Sequence, residues 1–482
     1  MTGAQRDATG LVLVWFAFST ANLYSVARFE PVTVLTFCAV LVALVVVLRR
    51  SGDADSGQPP DAAVAAVLLI TAVAAEGLRF FSYLPFPVRS MSVHVFAATS
   101  VACACAWVSG RASAKHAAVG LAFASTAVTA ALAVRFDPVP RIDVWTSLQQ
   151  AIEGLPSGRN PYTTVWVGST GVEDAFTYLP MTVVLLAVPT LLSGDVRWAL
   201  VIATVVAAAV LAVLARSTEE ASGTAGDDGR GSSAVSLRER LRDRHTALPG
   251  DRRAAAVLLL LTPGQLVLIE QAWTEPLLFA LLAGFVATLA ASRPGIAVAL
   301  LALALASKQH MVLMLPVLAC WRPFGPRRAV LATVGAAAMC LPWLLAQPVA
   351  FVHDTVTLLM EYPPLRLSPN PYVWAFRHGH TPPFWVSGLV AAVAVTGTAL
   401  AVRRTQPAPA RLTLWLAVLF LAVNLANKQA FYNQFWLVGS LLLLGLAAGG
   451  LRLEQPAQPS REVVPAPLLL DPSTSSRTHP PG

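Results

Sequence analysis

Apolar runs of roughly twenty residues recur along the whole chain, and this recurrence constrains the fold more than any single motif. A helix needs about 20 apolar residues to cross a bilayer. Inside lipid every backbone N–H and C=O must be paired within the protein, so only helices and closed barrels can span it. The runs are too long and too unalternating for barrel strands. The expected fold is all-α: a polytopic integral membrane protein with roughly 13–15 apolar helical segments.

Charge supports this. Of 482 residues only 12% are charged, against about 25% in soluble domains. The net charge of +8 does not point to nucleic acid. The excess lysine and arginine lies in short loops, where it orients helices. All five cysteines sit inside apolar runs, which suggests neither a disulfide framework nor a metal cluster. The first run begins at Leu11 and lacks a small-residue cleavage site after it, as an uncleaved helix would.

Arg49 and Arg50 after the second run, and Arg111 and Lys115 after the fourth, mark cytoplasmic turns. Five crossings from a cytoplasmic N-terminus put the polar stretch 135–177 outside. The apolar segment Tyr178 to Leu192 is short and contains Pro180 and Pro189. If it crossed, the arginine-rich insertion 216–253 would lie outside, against the charge rule. It is therefore expected to be short or re-entrant. Ala254 to Ile269 is expected as one continuous helix. Beyond it come Glu270–Glu275, a helix break at Ser307–His310, a second outer loop at 347–383, and the turn Asn427–Gln434. The tail 451–482, rich in proline and serine, is expected to be disordered.

Following the charge rule from both ends brings these polar elements to one side of the membrane. The outer loop carries Asp137, Asp143, Glu153, Glu173 and Asp174. Most of these read as solvated loop charges. Asp137 precedes a proline in a turn, and Glu153 falls on an amphipathic helix. Asp143 reads either as a helix N-terminal charge or as a base at the membrane surface. Lys308 sits in an apolar region, where an ammonium either serves function or snorkels to the interface.

The order of these elements resembles the GT-C superfamily of membrane glycosyltransferases, and within it glycosyltransferase family 87. The resemblance is carried by Ile142-Asp143-Val144-Trp145, Gly158-Arg159-Asn160-Pro161-Tyr162, Tyr178-Leu179-Pro180, Thr274-Glu275-Pro276, Lys308 at a helix break, and Asn427 to Gln434. It covers roughly residues 117–449, so residues 1–115 would be additional N-terminal helices and 116–450 the catalytic membrane domain. Trp145 stands where the family more often has tyrosine. The resemblance implies inverting transfer of a sugar, mannose foremost, from a polyprenyl-phosphate donor to an extracytoplasmic lipid or glycan acceptor. By that resemblance Asp143 is the base. From its place in the apolar region Lys308 is expected to face the donor phosphate, helped by His310, and Arg366 of the second outer loop is a candidate for phosphate or sugar contacts. Tyr162, Tyr178, Glu275, Asn427 and Gln434 bind substrate, and a divalent metal is an open cofactor. The expected location is the cell membrane, with the active face extracytoplasmic. A transporter of lipid-linked sugars and a non-catalytic membrane scaffold are the rival classes.

Overall fold

A computed structural model describes residues 3–50, 58–78, 80–223, 253–449 and 451. The described residues form an all-α fold with no strand. Seven of their helices are long and apolar enough to cross a membrane, and five shorter apolar helices run beside them. The chain is a multi-pass helical membrane protein.

Five helices open the chain: α1 (Gly3–Tyr24), α2 (Pro31–Arg50), α3 (Asp61–Gly77), α4 (Phe86–Val108) and α5 (Ala112–Phe136). Two short helical pieces follow, α6 (Asp143–Gly154) and α7 (Pro180–Ser193), then the long α8 (Val196–Gly223). Next come α9 (Ala254–Leu260), α10 (Gln265–Glu270), α11 (Glu275–Ala290), α12 (Pro294–Leu305) and α13 (Leu315–Cys320). The rest comprises α14 (Gly325–Ala346), α15 (Pro348–Val352), α16 (Leu358–Glu361), α17 (Pro371–Arg377), α18 (Phe384–Thr405), α19 (Pro409–Ala426) and α20 (Tyr432–Ala447). The insertion expected at 216–253 lies outside the described residues from 224 to 252, as does the tail from 452 onward.

Cross-links sort the connections to two ends of the bundle. At the first end Lys115 pairs with Asp61 at 2.6 Å and Arg253 meets His116 at 3.1 Å. There too Arg411 donates to the Leu48 carbonyl and the Trp321 indole to the Pro407 carbonyl. At the second end the Asn22 amide donates to the Tyr432 carbonyl and Asn370 to the Asn427 carbonyl. Glu270 accepts hydrogen bonds from the Ser82 hydroxyl and the backbone amides of Tyr83 and Leu84. The first helices share one core with the last: the Phe37 ring lies 4.7 Å from Phe18 and 4.5 Å from Phe435.

The second end explains the short apolar segment. Helix α7 has only 14 residues, about 21 Å at 1.5 Å per residue, too short for the roughly 30 Å hydrocarbon core. Its start is stitched to the helix break, Leu179 N–H donating to the Ser307 carbonyl at 3.2 Å. Its end, at Gly194, receives a hydrogen bond from Gln149 of α6, and Gln149 in turn accepts from Val196 N–H. Arg197, just beyond, donates to the carbonyl of Ala133 near the end of α5. Both termini of α7 thus belong to the same end of the bundle. It lies under α6, which buries Leu148, Ala151 and Ile152 on it, and α8 makes the traverse to Arg253.

The single helix expected over Ala254–Ile269 is in fact two. Pro263 has no N–H to give the ladder, and Gly264 adopts φ 88°, a conformation glycine takes without a Cβ clash. The Tyr432 hydroxyl donates to the Pro263 carbonyl, and a Cβ on Gly264 would collide with that hydroxyl.

Candidate functional site

Three breaks in helical structure meet at the second end: residues 175–179 before α7, Ser307–Lys308 after α12, and a single π turn at His353–Thr357. Gln309 fastens them, its amide donating to the carbonyls of Thr177 at 2.8 Å and Thr355 at 3.1 Å. Asp354, 2% exposed, accepts from Phe176 N–H at 2.8 Å and pairs with His353. Its burial pushes the carboxyl upward, while the His353 and Phe176 hydrogen bonds pull it back. The hydrogen bond to Asp354 holds the His353 imidazole above its usual range. Thr182 adds a hydrogen bond to the Ser307 carbonyl. Loop, helix break and second loop therefore form one rigid rim around Tyr178.

Lys308 lies against that rim. Its ammonium is 2.5 Å from Glu275 Oε1, 3.4 Å from Thr274 Oγ1 and 5.4 Å above the Tyr178 ring. Glu275 is fully buried and Lys308 13% exposed. The sequence alone left Lys308 between function and snorkelling; its head group instead turns inward, to a buried carboxylate. Glu275 opens α11, its charge favoured by the helix N-terminus. Its second oxygen, Oε2, is buried and has no hydrogen-bond partner among the described residues. Lys308 has three N–H donors, and one is unaccounted for by these contacts.

Asp143 opens α6 with Ile142 as the extended cap residue. Its Oδ1 accepts from Val144 N–H at 2.9 Å. Its other oxygen packs on Gly171, where an added Cβ would come within 2.5 Å. The carboxylate is half-buried. Burial raises the Tyr178 phenol well above its usual range, and the charges of Glu275 and Asp143 push it the same way. Both carboxylates are therefore near enough for their charge to act on the Tyr178 phenol. Asp143 also bears on Tyr83, from the α3–α4 loop, after burial and Glu270.

The other expected residues are placed as follows. Tyr162 is 2% exposed, donates its hydroxyl to the Tyr178 carbonyl at 2.9 Å, and packs on Phe176 and Phe351. It supports the rim from behind. His310 stacks edge-on against Phe420 of α19. Arg366 is exposed on the second loop, over the Phe376 ring. Asn427 caps its own turn through Gln429 N–H and holds Asn370 through its carbonyl. Gln434 is half-buried on α20, whose neighbouring Tyr432 stacks on Trp273 at 5.1 Å. Glu153, Glu173 and Asp174 are exposed. Tyr178, Glu275 and Lys308 are brought into contact, and Asp143 acts on Tyr178 through its charge.

Sequence reasoning passed over several residues. Arg197, fully buried, pairs with Asp195 at 2.6 Å, and Asp195 also accepts from the Trp145 indole. Nearby, Asp137 Oδ2 is buried without a partner among the described residues. Burial pushes the Asp137 carboxyl up and Arg197 draws it down. Arg197 sits two residues into an apolar helix, and a buried arginine there was the available signal. Among the described residues no group of three or more His, Cys, Asp or Glu is arranged to hold a metal. A scan against models of known protein families matched none, and a search of curated proteins returned no match.

Proposed function

We propose that the protein is a membrane glycosyltransferase that moves a sugar, mannose foremost, from a polyprenyl-phosphate donor to an extracytoplasmic lipid or glycan acceptor. The observation that supports this reading is a buried Lys308–Glu275 pair against Tyr178, with a half-buried carboxylate, Asp143, at the same end of the bundle and close enough for its charge to act on Tyr178. They lie at the end of the bundle away from most of the arginine-marked turns. By the positive-inside rule that end faces outward.

Inverting transfer needs a base on the acceptor side and a stabilised leaving group on the other. Asp143 takes the proton of the acceptor hydroxyl as its oxygen bonds to the anomeric carbon. The carbon–oxygen bond to phosphate breaks, and the phosphate leaves with the electron pair. Lys308 is the donor-side residue of the cluster. Arg366, exposed on the second loop at the same end, is a cation that can meet a lipid phosphate. No step here requires a metal, and a divalent ion on the phosphate is compatible with the same roles.

One observation favours a second reading, a carrier of lipid-linked sugar. Discontinuous helices mark transporter sites, and among the described residues helical runs are interrupted at Pro263–Gly264 and at Ser307–Lys308. Supplying purified protein in vesicles with labelled polyprenyl-phosphate-mannose and a lipid acceptor separates the two. Label on the acceptor supports transfer. Label that only changes leaflet supports the carrier.

A further inference from the structure

The ion pair beside Tyr178 has a feature that a phosphate site would not have. Lys308 is already neutralised, its ammonium 2.5 Å from Glu275. A phosphate brought to Lys308 would also come against Glu275 Oε2, which is buried and bonded to nothing among the described residues. Two anions in contact in a low-dielectric setting repel strongly. The pair instead offers one free acceptor, Glu275 Oε2, and one unassigned donor, the third N–H of Lys308. A neutral hydroxyl answers both, accepting from the ammonium and donating to the carboxylate. Water would do so weakly. A hexose with neighbouring hydroxyls would do so with geometry, against the aromatic wall of Tyr178.

We infer that Lys308 and Glu275 form a clamp for ring hydroxyls of the donor sugar, leaving the phosphate to other groups. The inference rests on the transferase reading and moves Lys308 from the phosphate to the hexose. Access is from the Lys308 side, since Glu275 is wholly covered and Lys308 is not. The flexible four-carbon stem of lysine is the part that yields. An orphaned buried carboxylate oxygen costs free energy in the empty protein. A ring hydroxyl held in the clamp removes that cost more fully than water does, which makes it a device for telling a sugar-loaded lipid from a bare one.

The test is direct binding to the purified full chain in detergent, with two probes: polyprenyl phosphate and polyprenyl-phosphate-mannose. The unmodified protein should prefer the mannosyl lipid, and Glu275→Gln should lose about tenfold of that preference, the order of one charge-assisted hydrogen bond. Affinity for bare polyprenyl phosphate should not fall, since the change removes an anion and no phosphate contact. A preference retained in Glu275→Gln, or equal weakening of both probes, overturns the clamp. If the variant does not fold, the unmodified chain still decides: removing the recognised hydroxyl in a series of deoxy-mannosyl lipids should weaken binding about tenfold, and no loss at any position overturns the clamp. Equal binding of both probes sinks the clamp alone. Binding of neither probe sinks the clamp and the transferase reading together.

Discussion

Glu275 has none of its side chain exposed, and its partner is a lysine from another helix break. Taking two charges out of water costs several kcal/mol per ion, and the attraction between them roughly offsets that cost. Removing one partner leaves the other buried and unpaired. Lys308→Met should therefore destabilise the protein by about 3–5 kcal/mol, read as a fall in Tm in detergent. Lys308→Met with Glu275→Leu should recover most of that loss, because an apolar pair carries no desolvation cost. If the single variant is as stable as the parent, the pair is not held as described. Asp143 differs: it is half-buried, and its Val144 hydrogen bond is local. Asp143→Asn should leave the fold intact and lower transfer by about 10²–10⁴-fold, the usual contribution of a positioned base. The sequence marked Lys308 and Glu275 individually but not as partners, because residues 33 apart declare no contact until two helices are folded side by side. It also offered Tyr162 as a substrate contact, whereas the hydroxyl serves the Tyr178 carbonyl from within the core.

Helix α6 and the loop after it hold the carboxylate. Gly171 lies against Asp143, so Gly171→Ala drives a methyl group into the carboxylate. The carboxylate is the movable partner, which predicts displacement rather than unfolding. Transfer should fall about tenfold or more, since small misplacements of a catalytic group are costly, while Tm changes little. An unchanged rate would mean that the position of Asp143 does not matter. Helix α7 shows where reading a sequence reaches its limit. Its length and prolines argued against a crossing, yet counting alone gave two topologies. What decides is the grip of Gln149 on Gly194 and Val196, a tertiary contact with no periodic signal. Accordingly, Ser193→Cys should react with a membrane-impermeant thiol reagent from the same side as Glu173→Cys, and Arg111→Cys from the other. Ser193→Cys reacting from the Arg111 side would make α7 a crossing helix. The split of α9 and α10 was written in Pro263-Gly264, but an apolar run around a proline also suits a kinked continuous helix.

At the scale of the molecule, composition alone specified a multi-pass helical fold, because the bilayer admits so few alternatives. The gathering of polar breaks at one end was legible from the charge rule, and the hydrogen bonds of Gln309, Asp354 and Asn370 supply its physical form. The involvement of the α3–α4 loop was not legible. That loop is short and aromatic, as interfacial segments are, and only folding carries Ser82, Tyr83 and Leu84 to Glu270. The central claim is that this end of the bundle transfers a sugar with Asp143 as base. Purified protein in vesicles, supplied with radiolabelled polyprenyl-phosphate-mannose and a lipid acceptor, tests it most directly. The account predicts label on the acceptor with the unmodified chain and at least a hundredfold less with folded Asp143→Asn. Absence of transfer by the unmodified chain, or full transfer by Asp143→Asn, would contradict it.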